Sequence, residues 1–391
     1  MNIGLFSETY PPDINGVATS TNALFNVLNA HGHHAYVITT QLSDKEKEVT
    51  FEDNIIRIPG FEFKQLYGYR IAGIYNPQAM KIIKQLKLDV IHVQTEAGIG
   101  IFGKTIARNL QLPVVYTYHT MYEDYTYYVT RGRIEGFARQ VVRNFSRGEA
   151  EKATEFITPS EKVKDIIRSY GYEGYINVVP TGVDFSRFEA SRINHEKLLE
   201  FKKKHNLEDK FILLSLGRVA KEKSIDVLLR GYADYLKNEI TPTHFLIVGL
   251  GPALEDLKLL AQQLKIEEHV TFLGPVPPED TPFYYHLGDL FVSASISETQ
   301  GLTFMEAMAA GKLLLARYDE NLVDVIKDGK TGFFFHNEKD FETQLNKVIL
   351  LEPSVRDEMI KSAYQLVETY SLPRFYTNIM EVYRRAVRHN F

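Results

Sequence analysis

At 391 residues the chain exceeds what one hydrophobic core usually organises, so two domains are expected. A hydrophobic share of 44% with 24% charged residues describes a globular protein, and zero cysteines exclude disulfides, thiolate metal sites and a cysteine nucleophile, in keeping with a reducing cytosol. The net charge of −5 hides an asymmetry: residues 57–87 hold six basic side chains against Glu62 alone, and residues 131–152 hold six against three. The remainder is therefore strongly acidic, a separation that suits an anionic surface as partner.

Along the chain, Asn2–Phe6 reads as a strand. Neither a basic leader nor a long apolar region accompanies it, so no signal peptide is expected. No run of about 18 apolar residues occurs, so no spanning helix is expected. Asn15-Gly16-Val17 lies between this strand and a helix over Ala18–His31. Gly16 permits close approach of a phosphate, although a simple turn is the commoner meaning of such a loop. After a strand at Ala35–Thr39, the stretch Phe61–Ile71 interleaves aromatic and basic residues, among them Phe61, Phe63, Lys64, Tyr67 and Arg70. That is the composition of an interfacial segment.

Strand Val90–Val93, helix Gly98–Leu110 and strand Val114–Tyr118 follow, and His119 stands just past the last strand. A lone histidine is commonly structural, but the carboxyl end of a parallel strand is where ligands bind. Within Arg131–Lys152, Ile134, Phe137, Val141 and Phe145 form a helical stripe expected in the core. Arg139, Arg143 and Arg147 form another, read as a face for anionic lipid. Strands at Glu155–Thr158 and Ile176–Val179 complete the first series.

The polar segment Phe185–Lys210 is expected to be the interdomain linker. Strands then resume at Phe211–Ser215, His244–Val248, Val270–Leu273 and Asp289–Val292. Alternating strands and helices predict an α/β chain of two Rossmann-like domains, 1–190 and 191–370, facing each other across a cleft that takes the ligands. A helix over 371–391 is expected to cross back to the first domain.

Gly217-Arg218-Val219-Ala220-Lys221-Glu222-Lys223 follows the first strand of the second series. The planar fork of Arg218 and the point charge of Lys223 suit a diphosphate, although a solvated charged turn has the same composition. Val248-Gly249-Leu250-Gly251-Pro252 lacks the third glycine of a dinucleotide fingerprint and reads as a strand–helix turn. In Ser295–Gly311, Glu298 and Glu306 flank Gln300-Gly301-Leu302-Thr303. On one continuous helix they would stand about 80° and ~12 Å apart. With a loop through Gly301 and a helix from Leu302, they instead bracket an anion site at a helix N-terminus. Three other readings are a helix first-turn acid, an ordinary surface glutamate and a glycosidase pair. No His, Asp or Glu grouping has metal-ligand spacing, so no metal and no cofactor are expected.

Gly217-Arg218…Lys223, Glu298-x7-Glu306 and His119 together resemble family 4 of the retaining glycosyltransferases, of GT-B fold, over essentially the whole chain. Within that family, Tyr118–Tyr125 and Ser297–Thr303 are most similar to the bacterial 1,2-diacylglycerol 3-α-glucosyltransferase branch. The resemblance implies UDP-glucose as donor. Arg218 and Lys223 would meet its diphosphate, Glu306 its ribose, Glu298 the hydroxyls of the transferred sugar, and His119 that sugar near the reacting centre. Gly16, Gly301, Leu302 and Thr303 complete the donor-binding set. Many relatives carry two adjacent glycines where this chain has Asn15-Gly16.

The implied reaction is same-face substitution, with the leaving phosphate helping to accept the proton of the acceptor. The acceptor would be diacylglycerol at an anionic membrane surface, reached through Phe61, Phe63, Lys64, Tyr67, Arg70, Tyr122, Tyr125, Arg139, Arg143 and Arg147. The expected location is cytoplasmic, peripheral at the inner face of the cell membrane. Alternatives are a family member acting on phosphatidylinositol, a soluble sugar or a thiol precursor, or a catalytically silent membrane-binding scaffold. The acidic balance and the absence of a recognition motif argue against nucleic acid.

Overall fold

The structure is a computed structural model describing all residues except 14, 64–68, 120–134, 239, 296–297 and 390–391. The chain divides into two compact units, Met1–Gly182 with Leu372–Phe391, and Val183–Ser371.

The first unit contains β1 (Asn2–Phe6), β2 (His34–Thr40), β3 (Thr50–Glu52), β4 (Ile55–Ile58), β5 (Gly60–Phe63) and β6 (Tyr69–Ala72). It continues with β7 (Val90–Val93), β8 (Val114–Thr117), β9 (Glu155–Thr158) and β10 (Asn177–Val178). The main sheet runs β10-β9-β8-β7-β1-β2-β4-β3 and is parallel except at β3. There Asp53 and Asn54, at φ of 49° and 63°, supply the left-handed pair that a two-residue hairpin turn needs. The residues of β5 and β6 pair as a separate hairpin. Apolar side chains cover both faces of the sheet, which is why its central strands read as unbroken hydrophobic runs.

The final helix, Leu372–His389, belongs to this first unit. Phe375, Ile379, Val382, Tyr383 and Ala386 recur at helical spacing and are buried against Leu24, Val27 and Leu28. Burying these side chains stabilises the docking by on the order of 10 kcal/mol before the entropy of ordering is set against it. Arg385 adds a polar anchor, donating to Glu155 and Asn177 at the edge of the sheet.

The second unit contains β11 (Phe211–Leu216), β12 (Thr243–Val248), β13 (Val270–Gly274), β14 (Leu290–Ser293), β15 (Leu313–Arg317) and β16 (Phe333–Phe335). All are parallel, in the order β13-β12-β11-β14-β15-β16. Ile212 and Leu214 face one core while Leu213 faces the other, as the period of two requires. Strand order reverses between β11 and β14, so the loops leaving their carboxyl ends lie side by side at the switch point.

The segment expected as a linker is instead part of the second unit. It folds into short helical turns at Phe185–Phe188 and Ala190–Arg192 and a helix at His195–Lys204. Its polar appearance comes from one charged face, while Phe188 is fully buried against Tyr285. The boundary falls at Gly182 and Val183, where Val183 bonds to Tyr370 and bridges Ser371.

Candidate active site

In the second unit the switch point collects the motif residues. Gly217 leaves β11 at φ +144° and Gly249 leaves β12 at φ +141°. A Cβ on Gly249 would stand 1.8 Å from the Gly217 oxygen, and one on Gly251 would stand 2.1 Å from that of Val219. These glycines are therefore required by the close approach of two loops, and Val248–Pro252 is the strand–helix turn expected of it.

Lys223 reaches from the β11 loop to the β14 loop, its ammonium donating to Glu298 Oε1 at 2.6 Å. Arg218 faces Glu222 at 3.8 Å. Gly301, at φ +75°, turns the chain into the helix Leu302–Ala309. No side chain caps that helix, and the Leu302 and Thr303 N–H groups have no partner among the described residues. An open helix N-terminus, with Lys223 held to the loop that leads into it, is suited to a diphosphate.

Glu306 lies one turn into the same helix. Its Oε2 accepts from the hydroxyl of Tyr285 at 2.8 Å, which leaves Oε1 for a ligand. Burial pushes the Glu306 carboxyl up, against the opposing effects of the Tyr285 bond and Arg187. The same Tyr285 is raised well above its ordinary value, first by burial and then by Glu306 and Glu298. Glu298 and Glu306 thus both act electrostatically on one buried tyrosine. Sequence reasoning missed Tyr285; it sits among aromatic residues that read simply as core.

In the first unit, His119 follows β8, and its Nε2 lies 2.6 Å from Gln94 Oε1, just past β7. Burial pushes the imidazole down to about 4. Behind it, His92 is pushed down to about 3 by burial and hydrogen-bonds Tyr383 and Thr117. Gly16 opens the helix Gly16–Ala30, and Asn15 caps that helix by accepting from the Ala18 N–H at 2.9 Å. A Cβ at Gly16 would meet no atom within 4 Å, so protein packing does not require this glycine.

Glu8 is another residue that sequence reasoning missed. Its carboxylate accepts from the Thr95 hydroxyl and the Ile99 N–H, capping the helix Gly98–Leu110 from a distant loop. It thereby ties the residue two places past β1 to the start of that helix.

The surface residues divide. Phe61 is exposed, whereas Arg70 is bound to Asp44 and to the Gly60 carbonyl. On the helix Glu135–Glu151, Val141 and Phe145 are 50% and 47% exposed, which overturns their expected core position. The adjoining face is what docks: Ser146, Glu149 and Ala150 are buried, and Glu149 pairs with Lys104. Arg139 is exposed, Arg143 lies 5.7 Å from the Tyr170 ring, and Arg147 pairs with Glu151. Lys64, Tyr67, Tyr122, Tyr125, Ile134 and the side chains of Phe63 and Phe137 lie outside the described residues. Among the described residues no cluster of three or more His, Cys, Asp or Glu could hold a metal ion, and no helix is long and apolar enough to cross a membrane.

The sequence matches the family Glycosyltransferase Family 4 over residues 14–187 and the family Glycosyl transferases group 1 over residues 198–366. It is 36% identical to an alpha-monoglucosyldiacylglycerol synthase of Streptococcus pneumoniae, over 100% of this chain and 87% of the relative. It is 33% identical to one of Acholeplasma laidlawii, over 95% of this chain and 94% of that one. Among solved structures, a sucrose-phosphate synthase from Thermosynechococcus elongatus superposes with a TM-score of 0.78 at 20% identity, over 99% of each chain. That likeness is one of fold, the GT-B arrangement of two Rossmann-like domains.

Proposed function

The chain belongs to glycosyltransferase family 4, as a nucleotide-sugar-dependent enzyme, and we propose that it transfers glucose from UDP-glucose to the 3-hydroxyl of diacylglycerol. The product is α-monoglucosyldiacylglycerol, made at the membrane surface. The observation that carries this reading is the similarity, over nearly the full length of the chain, to two proteins named for that synthesis.

The bond between the glucose anomeric carbon and the β-phosphate oxygen breaks while the acceptor oxygen bonds to that carbon on the same face. The acceptor's proton passes to the departing phosphate. Charge grows on the diphosphate as the sugar becomes cationic. Arg218, Lys223 and the N–H groups of Leu302 and Thr303 are fixed donors for the first, and such preorganised donors supply much of the rate. Glu298 and His119 hold the sugar, and Glu306 holds the ribose. Because Arg218 and Lys223 neutralise the diphosphate, chelation leaves the activity in place.

Docking at an anionic inner membrane face is supported by the basic segments and by the exposed Phe61, Val141 and Phe145. The test is a transfer assay with UDP-glucose, UDP-galactose and GDP-mannose, each against vesicles containing diacylglycerol or phosphatidylinositol. Labelled lipid from UDP-glucose and diacylglycerol is the expected product. Preference for GDP-mannose or phosphatidylinositol contradicts the reading.

A further inference from the structure

Gln94 and His119 leave adjacent parallel strands, β7 and β8, whose pairing sets Val93 against Tyr116. The glutamine is 2% exposed, and its backbone N–H donates to the Phe6 carbonyl at 2.8 Å. The amide oxygen, 2.6 Å from His119 Nε2, can only accept, so the hydrogen of the ring belongs on Nε2. The amide nitrogen has no hydrogen-bond partner among the described residues, so the contact with His119 is the one bond orienting the head group.

We propose that Gln94 is a positioning residue: it holds His119 in the Nε2–H tautomer and leaves Nδ1 as an acceptor for a hydroxyl of the transferred sugar. The inference rests on the reading above, in which His119 meets that sugar. An acceptor nitrogen suits the chemistry, because a protonated ring would repel the cationic sugar of the transition state. Burial acts in the same direction by keeping the ring uncharged. His92 is the titratable group whose charge couples to this ring, and it is itself held uncharged by burial.

The test combines imidazole nitrogen NMR of histidine-labelled protein, with the His119 signals assigned from His119→Gln, and kinetics of three Gln94 variants. The expected wild-type signature is a protonated Nε2 and a bare Nδ1. Gln94→Leu, and the nearly isosteric Gln94→Met, should mix the tautomers and lower kcat about tenfold, the worth of one hydrogen bond, with little change in KM for UDP-glucose. Gln94→Glu keeps an acceptor on Nε2 and should preserve the signature. Its added charge should introduce an acid-side loss of kcat that the wild type lacks. A wild-type ring carrying its hydrogen on Nδ1 overturns the proposal, as does an unchanged signature and kcat in both Gln94→Leu and Gln94→Met. Full kcat in His119→Gln overturns the sugar contact while leaving the tautomer result standing, so the two failures are told apart.

Discussion

The Lys223 ammonium meets Glu298 at 2.6 Å although 75 residues separate them in sequence, because the reversal of strand order sets their loops side by side. Neither side chain is fully covered, at 29% and 13% exposure, so the pair adds little to stability. Its consequence is orientation. Lys223→Ala is expected to lower kcat/KM about 100-fold, the usual loss on removing one preorganised donor. Thermal unfolding should hardly move. Near-normal kinetics would remove Lys223 from the donor site.

Glu306 and Tyr285 predict a graded response. Glu306→Ala should abolish measurable UDP binding, whereas Glu306→Gln keeps an acceptor oxygen and should retain part of it. Tyr285→Phe removes the bond that aims the carboxylate and should weaken UDP about fivefold, near 1 kcal/mol. Calorimetric titration of UDP reads all three. Equal affinity in Tyr285→Phe and wild type would show that the carboxylate is held by other means.

These pairs show where legibility in the sequence ends. The strands Asn2–Phe6, Val90–Val93 and Glu155–Thr158 and the helix Gly98–Leu110 have the bounds that the sequence predicts, since strands and helices alternate there in the pattern of a parallel sheet. The short strands β3 to β6 do not, and Phe333–Phe335 is too brief to be told from core. Glu298, Glu306, Arg218 and Lys223 could be singled out because glycines and charges punctuate strand exits. Gln94 and Tyr285 could not, because their roles exist only once the neighbouring strand or helix has delivered a partner. Val141 and Phe145 were misread for a related reason: a helix with an apolar stripe and an alternating polar face does not declare which face packs.

A buried neutral histidine sets a pH dependence. In the folded protein His92 is held at about 3, below its unfolded value near 6.5, so the unfolded chain binds the extra proton between those limits. Its contribution to stability is present above about pH 6.5 and is lost as pH falls toward 3. By pH 5 the loss from this one group is about 2 kcal/mol. Urea unfolding at pH 7 and pH 5 measures it, and His92→Gln should flatten the slope. An unaltered slope in that variant would mean other groups govern the acid side.

Membrane docking predicts two separable losses. Arg143 lies over the Tyr170 ring and Arg147 pairs with Glu151, so replacing Arg139, Arg143 and Arg147 together with Gln should weaken binding to anionic vesicles by less than the roughly 1 kcal/mol per residue of fully solvated charges. That part should fade at high salt, since screening acts over ~8 Å at physiological ionic strength. Val141→Asp with Phe145→Asp should reduce binding at every salt concentration. UDP affinity should stay unchanged in both variants. Sedimentation insensitive to both sets of changes would remove this helix from the docking face.

The proposed reaction moves glucose from UDP-glucose to diacylglycerol with its configuration kept. Proton NMR of the lipid product formed by the purified protein, from UDP-glucose and dioleoylglycerol vesicles, tests it most directly. The expected product carries one glucose on the 3-position of the glycerol, with the small anomeric coupling of an α-linkage. A β-linked product, or glucose released to water with none on lipid, would contradict it.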